Sequence, residues 1–380
     1  MIHLKDRQDC SGCGACADAC PQGCITLQPD GEGFLYPSVD AARCVECGLC
    51  EKVCPFLSPA PVRRPLRTWA AVSPDLPERL DSSSGGLFSL LMRRTLAAGG
   101  VVVGAAFDDG WGVRHVVIDS PGQMPALRGS KYVQSRAEGI YRETEGYLKQ
   151  GREVLFSGTP CQVAGLKHYL RKEYDCLLTA DVVCHGVPSP KVWEDYLRVL
   201  GDKPSIRAVR FRDKASGWSD YALRIDYADG RTVRAPHGAD PYMQGFLLDF
   251  YTRPSCFRCK AKCGRSGSDL AMGDYWRVRE SLPDLDDDKG VSLVMAYSQK
   301  GEAAVLAAGP RLTETPYAQA LQGNAAIEGS TPLSPWRKTF WRRFLGGADA
   351  LTSIRETLRR RSSLSGRIRR IIFKTIRRCR

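Results

Sequence analysis

Two stretches decide the architecture of this chain: CSGCGACADACP at residues 10–21 and CVECGLCEKVCP at residues 44–55. Both read Cys-x2-Cys-x2-Cys-x3-Cys-Pro, so the second repeats the first. In such runs three thiolates from one tight loop reach three corners of an iron–sulfur cube, and the fourth cysteine crosses to the other cube. The pattern assigns Cys10, Cys13, Cys16 and Cys54 to one 4Fe–4S cluster, and Cys44, Cys47, Cys50 and Cys20 to a second. Gly12, Gly14 and Gly48 let the backbone approach closely enough for its N–H groups to reach sulfur. Zinc is the competing metal, but it usually takes pairs of cysteines, not runs of four. Cys24 falls outside the pattern and reads as a small buried residue.

The rest of the composition is that of an ordinary folded protein. The chain has 380 residues, 43% apolar and 26% charged, enough for two or three domains. No run of apolar residues is long enough to span a membrane. The start, MIHLKDRQDC, lacks the apolar core of a secretory leader, so a cytoplasmic location is expected. Sixteen cysteines at metal-ligand spacing then argue against a disulfide scaffold. The net charge of +13 is localised: fifteen of the 55 Lys/Arg and only two of the 42 Asp/Glu lie after residue 335, leaving 40 of each before it. That balance excludes a globally basic surface.

Composition marks four segments: a cysteine-rich module at 1–57, a Pro-rich linker at 58–67, a body at 68–335 and a basic tail at 336–380. In the body, TWAAV, VVVGAAF, VRHVVI, EVLFS and LLTADVV read as buried strands. GLFSLLMRRTLAAG, EGIYRETEGYLKQG and QVAGLKHYLRK have helical periodicity. Their alternation predicts an α/β domain with a largely parallel sheet. Past Ile206 the pattern turns antiparallel, with a hairpin predicted at Asp229-Gly230 and further strands in DLAMGDYW and VSLVMAYS. The fold class expected is therefore α+β/α/β, a bacterial-type ferredoxin fold followed by an α/β domain with a mixed sheet and a basic helical tail.

Within the body, Ser82-Ser83-Ser84-Gly85-Gly86 precedes an apolar helix whose N-terminus can hold a phosphate; an ordinary Ser N-cap is the plainer reading. Gly158-Thr159-Pro160-Cys161-Gln162 and Cys184-His185-Gly186 close adjacent strands, where open α/β sheets bind ligands. Lys131-Tyr132-Val133-Gln134-Ser135 says little alone. Together with FRDKASGW (211–218), the CxxC at 256–259 and GDYW (273–276), these motifs resemble the β subunit of coenzyme F-420 hydrogenase/dehydrogenase. The resemblance covers nearly everything except the tail.

The resemblance implies a flavoprotein that passes electrons between 4Fe–4S clusters and an organic substrate through FAD. Similar proteins stand among bacterial polysaccharide-synthesis genes, with the substrate open. Carried onto this chain, it implies a third cluster on Cys161, Cys184, Cys256 and Cys259, with Cys263 a fifth candidate among the last three positions. Structural zinc or ordinary buried thiols are the alternative there, and Cys176 and Cys379 read as non-ligating. It also places FAD among Ser84, Gly85, Gly86, Lys131, Tyr132, Gln134, Ser135, Gly158, Thr159, Pro160 and Gln162. His185 becomes the candidate proton relay; packing beside a cluster is its duller role. The expected partner is a redox protein or reduced ferredoxin, and the second reading is an electron-transfer subunit that feeds a partner enzyme.

In the tail, Leu364, Ile368, Ile371, Ile372 and Ile376 share one helical face among Arg367, Arg369, Arg370, Lys374, Arg377 and Arg378. A basic amphipathic helix suits an anionic membrane surface. Nucleic acid needs no isoleucine stripe and is not expected as a partner.

Overall fold

A computed structural model describes residues 1–363. The cysteine module is built around an antiparallel hairpin of β1 (Ile25–Pro29) and β2 (Leu35–Val39). Each cysteine run turns into a short helix, Ala15–Ala19 or Leu49–Lys52, behind a glycine in the left-handed region, Gly14 at φ 87° and Gly48 at φ 71°. Only glycine enters that region freely, which is why these positions can bend the loop so sharply.

The body follows with β3 (Arg67–Val72), β4 (Val101–Phe107), β5 (Val113–Ile118), β6 (Val154–Gly158) and β7 (Leu177–Val182). Next, β8 (Ile206–Asp213), β9 (Ala222–Tyr227) and β10 (Thr232–Pro236) form a separate antiparallel sheet, with Gly230 at φ 85° in the predicted turn. The chain then returns through β11 (Leu270–Asp274), β12 (Ser292–Ala296) and β13 (Arg311–Glu314) to complete an eight-stranded mixed sheet, ordered β13-β3-β12-β11-β7-β6-β4-β5. Its centre, β11-β7-β6-β4, is parallel, and the flanking pairs are antiparallel.

Both faces of that sheet are covered, so its strands are apolar on both sides. Val102 and Leu155 pack with Leu87, Leu91 and Met92 of helix Leu87–Ala97 on one face. Val101, Val103, Val154 and Phe156 pack with Val163 and Leu166 of helix Pro160–Leu170 on the other. Ala15 and Val53 of the cysteine module join this second core, which seats the module directly on the sheet's helical cover.

Polar contacts fix that seat. Asp18 accepts from the N–H groups of Gly139 at 2.8 Å and Tyr141 at 3.1 Å, capping helix Ile140–Lys149 from across the boundary. Tyr141 donates to the Cys13 carbonyl at 2.8 Å, and Lys260 to the Phe56 carbonyl at 2.8 Å. The Pro-rich linker is likewise pinned, with Arg63 donating to the Gly264 and Ser268 carbonyls.

The described part of the basic tail is folded, not free. Trp336 at the N-cap and Phe340, Trp341 and Phe344 of helix Arg337–Phe344, with Ile354 of helix Ala350–Ser362, are buried in a core shared with the three-stranded sheet. The body therefore continues past residue 335, because the aromatic positions 336, 340, 341 and 344 recur at helical spacing on one face. The isoleucine stripe at 364–376 lies outside the described residues. Among those described, no helix is long and apolar enough to cross a membrane.

Candidate functional site

The cysteines fall into three groups, and burial is the first physical fact about them. Burial pushes the Cys13 thiol well above its ordinary value and Cys16 up to about 12, and in both the neighbouring thiols push the same way. For Cys13 those neighbours are Cys16, Cys54 and Cys10. The crossed set predicted from spacing is therefore one spatial group. Thiols buried together cannot all ionise without a compensating cation, which is the environment an iron cluster uses.

The second set, Cys20, Cys44, Cys47 and Cys50, lines one small cavity of about 20 Å³. Cys24 lines it too, with its sulfur 3.3 Å from that of Cys20. Cys24 is buried, as its place outside the pattern suggested, and the turn Pro21–Gly23 folds it back onto the loop just before β1 begins. Among the described residues no three His, Cys, Asp or Glu lie together as a single-ion site.

The third group comes from separate elements. Cys161 opens the helix after β6, Cys184 follows β7, and Cys256 and Cys259 lie on and just after the turn Pro254–Arg258. Burial raises Cys161 to about 11 and Cys184 to about 12, helped by Cys259 in both cases. Burial also raises Cys256 well above its ordinary value, with Cys184, Cys259 and Cys161 adding to it. Cys263 donates to the Glu328 carbonyl at 3.4 Å. Cys176 sits 3.9 Å from the Leu148 carbonyl, away from all three groups.

Beyond Cys184 opens a cleft of about 420 Å³ at the carboxyl ends of the parallel strands. Ligand pockets usually hold about 300–1,000 Å³, so the cleft has the size of a ligand site. Ser84, Gly86, Lys131, Tyr132, Ser135, Gly158, Thr159, Gln162 and His185 all line it. Three expected residues do not. Gly85 packs its backbone on Ser292, and any Cβ there would fall 2.2 Å from the Ala71 carbonyl. Gln134 turns toward the cysteine module, donating to the Ser11 carbonyl at 2.9 Å. Pro160 faces a smaller cavity with Asp181 and Cys184.

The serines do not cap the helix they precede. Its N-cap is Gly86, at φ 94°, with no side-chain cap bond. Ser82 instead bonds the Glu78 carbonyl, Ser83 accepts from Ser130, and Ser84 donates to the Val291 carbonyl. The first N–H groups of this eleven-residue helix therefore stay available beside the cleft, as an anion requires. Lys131 is less free than expected: its ammonium caps the carbonyls of Ala126, Arg128 and Gly129, and burial lowers it to about 7.

His185 sits edge-on to Phe246 at 5.1 Å, and its Nε2 donates to Asp249 Oδ1 at 3.0 Å. Asp249 is buried, holds φ at 58°, and also accepts from Thr252 at 3.1 Å. That bond fixes the imidazole and leaves Nδ1 for the cleft.

Two further residues, Arg212 and His115, line the cleft. Arg212 is buried, with Asp274 oxygens at 2.9 and 3.0 Å and the Tyr221 ring 4.0 Å beneath its guanidinium carbon. Arg207 and Arg210 of the same strand are exposed, whereas a register shift between Arg210 and Asp213 accompanies the inward turn of Arg212. His115 is buried between Ser135 Oγ, 2.8 Å from Nδ1, and the Ser157 carbonyl, 3.1 Å from Nε2. A carbonyl only accepts, so the proton sits on Nε2. A histidine within the apolar strand VRHVVI was the available signal.

Burial lowers His115 to about 4. Below about pH 6.5 the unfolded chain takes up a proton that the folded protein refuses, so His115 costs stability as pH falls from there toward 4. Between pH 7 and pH 5 the loss is about 2 kcal/mol. His115→Gln should flatten that part of the profile, read as urea midpoints at the two pH values; an unchanged slope would assign it elsewhere.

Known proteins share both halves of this arrangement. Residues 151–316 match the family model for the C-terminal part of the coenzyme F420 hydrogenase/dehydrogenase beta subunit, and residues 9–57 match the 4Fe-4S dicluster domain model. A subunit of the F(420)H(2) dehydrogenase of Methanosarcina mazei is 25% identical over 171 residues, 43% of this chain and 49% of that protein. The coenzyme F420-dependent sulfite reductase of Methanocaldococcus jannaschii is 25% identical over 316 residues, 80% of this chain and 46% of that protein. The chain thus spans about half the length of these curated relatives. An uncharacterized ferredoxin of the same organism is 40% identical over 52 residues, 14% of this chain and 66% of that protein. The chain thus carries, behind a 4Fe-4S dicluster domain, a region that matches the C-terminal part of the coenzyme F420 hydrogenase/dehydrogenase beta subunit.

Proposed function

We propose that this protein is an iron–sulfur flavoprotein oxidoreductase that takes electrons in at its N-terminal module and delivers them to an organic substrate in the cleft. One observation carries the reading: Cys184 belongs to the third thiol group and also lines the cleft. Cys161, in turn, touches Ser11 in the loop of the first set. The first thiol group, the third and the cleft thus adjoin one another in turn, which supports a single electron route.

In this reading Cys10, Cys13, Cys16 and Cys54 hold one 4Fe–4S cluster, and Cys20, Cys44, Cys47 and Cys50 a second. Cys161, Cys184, Cys256 and Cys259 hold a third, with Cys263 left to the Glu328 carbonyl. When bound, the clusters would supply one-electron transfer and FAD the two-electron exchange with substrate. The open helix N-terminus at Gly86 and the Ser82–Ser84 turn are suited to the dinucleotide's phosphates. Tyr132, Phe246 and Trp276 give the cleft flat apolar walls for a ring. His185, held by Asp249, can keep or release a proton at Nδ1 beside the substrate.

A redox partner protein or reduced ferredoxin is the expected electron donor, meeting the module near the exposed Cys47 and Val45. The test uses reduced ferredoxin, too large to enter the cleft. Mixed anaerobically with the protein, it should bleach the bound flavin's absorption. A flavin that stays oxidised while the iron–sulfur absorption bleaches would refute the delivery route.

A further inference from the structure

We propose that Arg253 is a positioning residue for electron transfer: a buried, permanent positive charge set between the first and third thiol groups that raises the reduction potential of the first cluster. The inference rests on the cluster assignment above and adds a role that no cysteine pattern implies.

Arg253 is 0% exposed. Its Nε donates to the Cys10 carbonyl at 2.9 Å, Nη1 to Gln134 Oε1 at 3.0 Å, and Nη2 to the Leu35 carbonyl at 2.8 Å. Nη2 also lies 3.8 Å from the Cys10 sulfur. The guanidinium carbon stands 4.4 Å from the centre of the Tyr36 ring, and the same cation stabilises the Cys161 thiolate. Among the described residues, no carboxylate forms an ion pair with it.

A guanidinium removed from water without a counter-charge is costly to hold. Neutral carbonyls satisfy its donors and leave its charge unbalanced. The negative groups within reach are thiolates: Cys10 on one side and Cys161 on the other. The backbone is shaped around this cation as well. Gly12 sits at φ 70°, and a Cβ there would fall 2.8 Å from Arg253 Nη1. The glycine in the first cluster loop therefore makes room for the guanidinium as well as for the turn.

A fixed positive charge and an N–H directed at a ligating sulfur both favour the more negative, reduced state, so both raise the potential. Mechanical docking of the cysteine module, which Arg253 also performs, would leave the potential alone. The two roles are separable by experiment.

The test is an EPR-monitored redox titration of the anaerobically purified full chain, with iron counted first. Arg253→Gln removes the charge. Gln134→Glu keeps the fork in place and neutralises its charge from an isosteric position, which covers the case in which Arg253→Gln fails to hold iron. Both should lower the first cluster's potential by at least a tenfold change in its reduction equilibrium, 59 mV for one electron. Arg253→Lys should shift it less than Arg253→Gln. Wild-type potentials in Gln134→Glu and in an iron-replete Arg253→Gln would overturn the inference. Missing cluster signals in the unmodified protein would instead sink the cluster assignment beneath it.

Discussion

Replacing Cys184 with serine is expected to remove about four iron atoms per chain, one cluster's worth, while the eight-cysteine module keeps its own. The same variant should slow flavin reduction by reduced ferredoxin at least tenfold, since Cys184 joins the third thiol group to the cleft. The fold should survive. Cys184 follows β7 on the sheet's ligand-binding edge, and its carbonyl still accepts from Lys262 at 2.7 Å. Iron analysis and stopped-flow absorption check the two effects separately. Full iron with an unchanged rate would mean that the thiols at 161, 184, 256 and 259 are ordinary buried cysteines.

Asp274→Ala is expected to be the most destabilising single change in the cleft wall. The guanidinium of Arg212 is 3% exposed and Asp274 makes its only ion pair among the described residues. Removing one partner of a buried pair leaves the other charge uncompensated, at about 3–5 kcal/mol. Trp218 would also lose its acceptor at 2.8 Å, and the stacked Trp218–Trp276 pair with it part of its anchor. Asp274→Asn keeps an acceptor and should cost less. Urea unfolding of both variants measures the difference. Equal and small losses would show that Arg212 is balanced by water in the cleft.

How far the sequence foretold this depends on how local each signal is. The cysteine runs were legible because their ligand geometry is set within a dozen residues, and the structure groups Cys13, Cys16, Cys10 and Cys54 as the spacing requires. The strand-end motifs were legible because a parallel strand followed by a helix presents its next residues at one edge of the sheet. The sites that escaped are made by distant partners or small irregularities. Arg253 reaches Cys10 across 243 positions, and no pattern near either residue announces it. The inward turn of Arg212 accompanies a register shift in β8 that alternation does not predict. Gln134 and Pro160 belong to motifs that reach the cleft, but they themselves turn away from it. The basic tail was misread at its start, where charge drew attention from the aromatic face that packs it down.

The proposed line of three clusters ending on a flavin requires a definite stoichiometry. The iron and flavin content of the full chain, purified without oxygen, reads that stoichiometry directly. About twelve iron atoms and one FAD per chain are expected. About eight iron atoms with no flavin would contradict the line, leaving a dicluster module on a body that takes no part in electron transfer.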